Sequence, residues 1–91
     1  MLTVYKYPLE VGKAYNSFAM PKGAKILRAE FQNKIITLWA MVDTEAVEER
    51  RYFVIFGTGH DMGEYKEEML VYISTVFISE FVFHVFEYKM Y

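Results

Sequence analysis

The C-terminal stretch Phe81-Val82-Phe83-His84-Val85-Phe86-Glu87-Tyr88 decides the fold of this chain. In a strand, successive side chains point to opposite faces, so His84 and Phe86 share one face while Phe83 and Val85 share the other. Both faces are largely apolar, and each therefore needs a cover, either a second sheet or another subunit. The stretch predicts a strand inside a layered β structure.

The preceding segments extend this pattern outward. Met69–Ile78 is a second apolar run, and the short break at Ser79-Glu80 predicts a hairpin with the last strand. The segment 27–31 alternates apolar with polar residues, which indicates a strand with one solvated face. A polar break at 32–34 separates it from Ile35–Val42, and the pair is typical of another hairpin.

Two further strands and several loops complete the pattern. Val4–Tyr7 is rich in strand formers and stops at a proline, and Tyr52–Phe56 is a short apolar run. Glu10–Met20 is interpreted as a loop or at most one helical turn. The sequence predicts a single domain over residues 1–91, mainly β, as a small antiparallel sandwich or open barrel of about six strands with little helix.

Composition points to self-association. The 91 residues are 54% hydrophobic and 19% aromatic, which excludes a disordered chain. A domain this small leaves much of its surface in water, so some aromatic side chains should be exposed or buried against a partner. We expect a homodimer with two-fold symmetry, or a higher homo-oligomer.

Charge and cysteine content narrow the class of protein. Ten basic and twelve acidic residues give a net charge of −2, which argues against direct nucleic-acid binding. The chain contains no cysteine, so disulfide and thiolate chemistry are excluded. Its start lacks the pattern of a signal peptide, and no apolar run is long enough for a membrane span. These features predict a soluble cytoplasmic protein without a membrane partner.

The apolar run Phe53–Phe56 ends abruptly in Gly57-Thr58-Gly59-His60. Backbone N–H groups of such a glycine turn can hold a phosphate or carboxylate, with the hydroxyl of Thr58 as a further donor. The turn lacks the Gly-Lys-Ser/Thr of a P-loop, and it could equally serve only to turn the chain. Trp39 could stack a base, anchor an interface or fill the core. Gly57, Thr58, Gly59, His60 and Trp39 are the candidate ligand-binding residues, with a nucleotide as the possible ligand.

The sequence shows neither a metal-binding motif nor a nucleophilic catalytic motif. His60 and His84 have no neighbours at metal-ligand spacing, and His84 is expected to be buried and bonded to the backbone. No serine or threonine lies in a nucleophile elbow. We therefore expect no catalytic residues, metal or cofactor, and a protein that is not an enzyme.

Two segments of the chain, Asp43–Arg51 and Asp61–Glu68, are polar and acidic. They contain the six glutamates Glu45, Glu48, Glu49, Glu64, Glu67 and Glu68. One interpretation is that they are simply solvated. The other is that they form an acidic surface that meets a basic protein, and on that interpretation they are the candidate partner-binding residues.

Several short motifs of the chain resemble those of one protein family. They are Lys6–Leu9, Met20–Leu27, Leu38–Ala40 with Val42-Asp43, Gly57–His60, Tyr72–Thr75 and Phe83–Glu87. The family comprises small proteins of phages, prophages and bacteria that carry a domain of unknown function. The resemblance runs from about Tyr5 to Glu87 and implies a phage context, without assigning catalytic residues.

The resemblance and the aromatic content together predict a function in binding. The leading hypothesis is a non-enzymatic, phage-derived counter-defence inhibitor that binds a host immune effector such as a CRISPR nuclease in the host cytoplasm. The alternative is a small-ligand binder that sequesters a nucleotide signal.

Overall fold

The computed structural model describes residues 1–89 as seven strands and one 3-10 turn. In chain order the strands are β1 (Leu2–Leu9), β2 (Asn16–Pro21), β3 (Lys25–Gln32), β4 (Ile35–Asp43), β5 (Glu48–Gly57), β6 (Leu70–Ile78) and β7 (Phe81–Tyr88). The 3-10 turn spans Glu67–Met69 and leads directly into β6.

The strands form two antiparallel sheets. A three-stranded sheet has the order β1-β4-β3, and a four-stranded sheet has the order β2-β5-β7-β6. Both sheets are open, so the chain is a small all-β sandwich, as the sequence predicts. Among the described residues, no helix has the length and apolar character needed to cross a bilayer.

The hairpin predictions are confirmed, and the strand count is one higher than expected. β3 and β4 are joined by Asn33 and Lys34, both at positive φ (50° and 67°), as a two-residue turn of type I′ requires. The additional strand is β2, which begins at Asn16, inside the segment Glu10–Met20 interpreted as a loop, and ends at Pro21. Its pattern is disguised because a polar residue, Asn16, occupies an inward position, where its side chain bonds the backbone of Glu10.

The core lies between the two sheets. β4 contributes Leu38 and Ala40, which are fully buried, and the four-stranded sheet contributes Phe53, Val76 and Val85. Burial of each of the larger side chains among these, from valine to phenylalanine, contributes about 1.5–3 kcal/mol. On the last strand, Val85 faces the core, and His84 and Phe86 lie on the outer face, so the two faces separate as the alternation predicts.

The sheets meet along one side. The edge strands β3 and β6 each carry a register irregularity, and the backbone N–H of Ala29 donates to the Ser74 hydroxyl at 2.9 Å. On the opposite side of the sandwich, the rings of Tyr7 in β1 and Phe18 in β2 lie 5.1 Å apart.

One end of the sandwich is held by an ion pair between Arg51 and Glu87. Arg51 Nε donates to Glu87 Oε2 at 2.6 Å and Nη2 to Oε1 at 2.8 Å, while Nη1 donates to the Ala24 carbonyl before β3. Both side chains are largely buried, at 13% and 6% exposure. The hydrogen bonds to Glu87 raise the pKa of Arg51. The pair therefore links the four-stranded sheet to the start of β3.

A crossover segment, residues 58–69, covers part of the outer face of the four-stranded sheet. β5 and β6 run parallel with β7 between them, so the chain must return across β7 to reach the start of β6. Tyr65 lies on this path and packs edge-to-face against Phe56 and Tyr88. This polar segment thus covers part of the outer apolar face of β7, which the sequence predicts must be covered.

Candidate functional site

The Gly57-Thr58-Gly59-His60 turn closes the end of β5. The His60 N–H donates to the Gly57 carbonyl at 3.1 Å, and the Thr58 N–H donates to the Val82 carbonyl at 3.2 Å. Two of the N–H groups that an anion would need are therefore bonded to carbonyl oxygens. The turn is hydrogen-bonded to β7 through Thr58. Anion binding stays a prediction, and the N–H groups of Thr58 and His60 are not free to serve it.

The two glycines of the turn have different roles. Gly59 has a φ of +82°, a left-handed conformation that strains other residues. At Gly57, a Cβ would lie 2.7 Å from Cε1 and 2.8 Å from Nδ1 of His60. The imidazole of His60 thus packs directly over Gly57, and a Cβ there would displace the ring.

A hydrogen-bonded relay of four side chains runs from the turn across the outer face of the four-stranded sheet. Thr58 Oγ1 lies 2.7 Å from His84 Nε2, and His84 Nδ1 lies 3.1 Å from Thr75 Oγ1. Thr75 Oγ1 in turn lies 2.8 Å from the Tyr72 hydroxyl. A neutral imidazole donates from one nitrogen and accepts at the other, so it fits between two hydroxyl groups.

The relay corrects the expectation for His84. Its ring is half-buried and bonds two side-chain hydroxyls instead of the backbone. The reason is register, because Thr75 lies directly opposite His84 on β6, and Thr58 follows the end of β5. Sequence alternation places His84 and Val85 on opposite faces but does not show which face is outward, and the long-range pairing that supplies the partners of His84 is not visible in the sequence.

The outer face of the four-stranded sheet is dominated by aromatic rings. We call this set the aromatic face; its members are Phe56, Tyr65, Tyr72, Phe77, Phe86 and Tyr88. Tyr65 contacts Tyr88 with centroids 5.0 Å apart, and Tyr72 contacts Phe86 at 5.8 Å, both edge-to-face. Such pairs fix ring orientations and add stability beyond simple burial.

Part of the aromatic face is open to solvent. Tyr72 is 58% exposed and Phe77 is 69% exposed, both on the edge strand β6. Beside Tyr72 runs a groove of about 390 Å³ lined by Met62, Tyr65, Glu67, Leu70, Tyr72 and Phe86. Burial in this region raises the pKa of the Tyr65 hydroxyl, and Tyr88 and Tyr15 add to the shift. The face offers fixed rings, an apolar groove and two protruding side chains.

Acidic residues border the aromatic face. The crossover segment contains Asp61, Glu64, Glu67 and Glu68 and a single basic residue, Lys66, all of them exposed. Three of the six glutamates selected from the sequence, Glu64, Glu67 and Glu68, are therefore on the segment that crosses this face.

The other three glutamates lie elsewhere. Glu48 and Glu49 begin β5, and since β5 and β6 are parallel, they lie at the same end of the sheet as Glu67 and Glu68. Glu49 Oε2 accepts a hydrogen bond from the Gly23 N–H at 3.1 Å. Glu45 lies in the turn after β4, outside the four-stranded sheet. The six do not form one continuous patch.

Trp39 lies on the other sheet. It is in β4, between Lys6 on β1 and Arg28 on β3, and it is half-exposed. Its neighbours Leu38 and Ala40 point into the core, so the indole points away from the four-stranded sheet. Within one chain, the structure does not bring Trp39 together with the Gly57–His60 turn.

Two further features bear on the chemistry. Over residues 1–89, no three His, Cys, Asp or Glu side chains come close enough to hold a metal ion. A cleft of about 460 Å³ beside the Arg51–Glu87 pair is lined by charged residues of both signs, including Glu49, Arg50 and Lys89. Sequence reasoning missed this cleft because its residues come from three separate segments.

Comparisons with known proteins give a family without an assigned activity. A model of a domain of unknown function, DUF7352, matches residues 1–90. Comparison with curated proteins and with solved structures gives no match. The family match covers nearly all of the sequence, and the chain therefore belongs to the DUF7352 family.

Proposed function

We propose that this DUF7352 protein is a non-enzymatic binding domain that recognises another protein through its aromatic face. The observation that carries the proposal is the exposure of Tyr72 (58%) and Phe77 (69%) on a sheet whose other rings are packed and fixed. Exposed, pre-organised aromatic side chains are frequent anchors of protein interfaces. Tyr72 packs on Phe86 and its hydroxyl bonds Thr75, so less conformational entropy is lost when this ring binds.

The charges around the face indicate the chemistry of the partner. Four carboxylates and one lysine lie on the crossover segment next to the aromatic rings. A matching surface would present an apolar patch with lysine or arginine at its rim. A second copy docked on the same face would instead bring the two sets of carboxylates toward each other, so a basic partner fits this surface better.

The biological setting is also part of the proposal. The motif resemblance to phage and prophage proteins supports a counter-defence role, with a host immune effector such as a CRISPR nuclease as the partner. Such effectors bind nucleic acid and therefore carry basic surfaces, which suits the acidic border of the aromatic face. The site of action would be the host cytoplasm.

A second candidate, a small-ligand binder, is favoured by one observation. The groove beside Tyr65, Tyr72 and Phe86 could receive a flat ring such as a nucleobase. Its border is acidic, which is unfavourable for phosphate groups. Thermal unfolding in the presence of cyclic and linear nucleotides tests this candidate, since a bound ligand raises the melting temperature by mass action.

Matched variants test the protein-binding proposal. Phe77→Asp removes an exposed ring from the aromatic face, and Phe31→Asp changes a 40% exposed phenylalanine of the three-stranded sheet. Tagged wild-type protein and both variants are used to capture proteins from bacterial lysate that contains a CRISPR effector. We expect the effector to be retained by wild type and by Phe31→Asp and lost with Phe77→Asp. Equal retention by both variants would contradict the assignment of the aromatic face.

A charge reversal separates the two candidates. Replacing Glu64, Glu67 and Glu68 by lysine should abolish capture of a basic protein partner while leaving the aromatic rings in place. The same change should strengthen binding of a nucleotide in the groove. Opposite responses to one variant therefore distinguish the two functions.

A further inference from the structure

The sandwich has four edge strands, and three of them are protected from pairing with another chain. β3 and β6 carry irregularities and lie beside each other, joined by the bond from Ala29 to Ser74. β2 is six residues long and ends in Pro21. β1 is eight residues long, and its pairing with β4 is regular throughout. Among residues 1–89, β1 is thus the long, regular strand with a free edge.

The hydrogen bonds of β1 show which backbone groups face this edge. The Thr44 N–H donates to the Met1 carbonyl at 2.9 Å, in the register that pairs Leu2 with Asp43. In an antiparallel ladder, bonded pairs alternate, so the odd-numbered residues of β1 bond to β4. The N–H and C=O groups of the even-numbered residues point to the free edge. Pro8 is even-numbered, and its missing N–H therefore costs no bond to β4.

The side chains of β1 make the free edge suited to association. Leu2 is 67% exposed and Val4 is 50% exposed on the outer face, and Tyr5 is 42% exposed on the other face. Lys6 is the single charged residue of the strand. An exposed edge with apolar side chains on both faces is a template for pairing with another strand.

We propose that β1 pairs antiparallel with β1 of a second copy, around a two-fold axis at Val4. This register places Val4 opposite Val4 and Leu2 opposite Lys6 of the other copy. All three free-edge donors, those of Leu2, Val4 and Lys6, then find carbonyl acceptors. The two three-stranded sheets become one six-stranded sheet, and the aromatic faces stay free.

The neighbouring registers are less favourable. An axis at Tyr5 would form the same number of hydrogen bonds, but it would leave the Leu2 carbonyl without a donor inside the paired region, because Leu2 would face Pro8, which has no N–H. An axis at Thr3 would leave Lys6 beyond the paired region. The Val4 register also keeps the two Lys6 side chains apart, since each faces a leucine, and so avoids like charges in direct opposition.

Cysteine pairs test the register, because the chain has no cysteine of its own. In the Val4 register, Thr3 lies opposite Tyr5 of the other copy as a non-hydrogen-bonded pair, with Cβ atoms about 4.5 Å apart. A mixture of Thr3→Cys and Tyr5→Cys proteins should therefore form a disulfide-linked dimer under mild oxidation. Each variant alone should remain unlinked, because identical residues would be offset by about 7 Å along the strand.

The alternative results have defined meanings. Cross-linking of Tyr5→Cys by itself would overturn the Val4 axis in favour of one at Tyr5. Failure of the mixture to cross-link would overturn the Val4 axis, and failure of the mixture and of each variant alone would overturn pairing through β1.

A proline substitution provides a second, independent test. Val4→Pro removes an N–H assigned to the free edge, whereas Tyr5→Pro removes one assigned to the bond with β4. Sedimentation velocity should show a dimer for wild type and a folded monomer for Val4→Pro, while circular dichroism should show loss of structure for Tyr5→Pro. A wild-type protein that stays monomeric at every concentration, or an unfolded Val4→Pro chain, would overturn the proposal.

Discussion

The imidazole of His60 packs over Gly57 so closely that a Cβ at position 57 would lie 2.7 Å from its Cε1 atom. The exposed ring can move aside, and the φ of Gly57 suits other residues, so Gly57→Ala should shift the His60 ring with little loss of stability. Gly59→Ala should cost about 1–2 kcal/mol, because position 59 has a φ of +82°. Urea unfolding of the two variants, with NMR of the His60 ring, measures both effects.

The contrast between the two glycines is the point of that experiment. We assign a close approach of the His60 ring to Gly57 and a left-handed backbone to Gly59. Equal destabilisation by the two substitutions would contradict this assignment. A His60 ring whose signals do not move in Gly57→Ala would show that the ring does not pack over position 57.

Local patterns were sufficient for most of the fold. Alternation along Phe81–Tyr88 correctly separated the inward Val85 from the outward His84, and two short breaks correctly marked two hairpins. β2 was missed because Asn16 occupies an inward position, where an apolar residue is the usual sign of a strand. The side chain of Asn16 is hydrogen-bonded to the backbone of Glu10, and this depends on the shape of the loop between them. The local pattern of apolar and polar residues does not show that shape.

The candidate site was only partly visible in the sequence. The turn at Gly57–His60 was recognised from its glycines, and the acidic character of the crossover segment from its composition. The relay through His84 and the packing of Tyr65 on Phe56 join residues that are distant along the chain. These contacts follow from the strand order β2-β5-β7-β6, and a single sequence does not determine that order.

The hairpin turns should accept stabilising glycines. Lys34 has a φ of +67° and Ser79 a φ of +55°, both in the left-handed region that strains residues with a Cβ. Lys34→Gly also creates the Asn-Gly pair that such turns favour, so we expect a gain of about 0.5–1 kcal/mol for each substitution. Thermal unfolding compares them with Glu80→Gly, which lies outside the positive-φ positions and should give no gain. A loss of stability in Lys34→Gly would contradict the assigned turn conformation.

Alkaline pH should destabilise the cover formed by Tyr65. Burial raises the pKa of Tyr65 and of Tyr7 above 10.0, so in each case the neutral form is favoured in the folded chain. The folded chain therefore holds these protons more tightly than the unfolded chain does. Its stability is complete below the unfolded-state pKa and is lost as the pH rises through the folded-state pKa. Stability should therefore fall above about pH 10. Tyr65→Phe should make this fall shallower, as measured by urea unfolding between neutral and alkaline pH, and an unchanged slope would contradict the role of Tyr65.

The Arg51–Glu87 pair should behave as a coupled unit. Arg51→Met removes both hydrogen bonds to the Glu87 carboxylate, which is 6% exposed, and leaves only Lys89 Nζ at 3.8 Å, so we expect a loss of about 3 kcal/mol. The double variant Arg51→Met/Glu87→Met removes both charges and should be more stable than Arg51→Met alone, because no buried charge is left unpaired. Urea unfolding of the wild type, both single variants and the double variant gives the coupling energy. Additive losses would show that the two side chains act separately, in conflict with their paired hydrogen bonds of 2.6 and 2.8 Å.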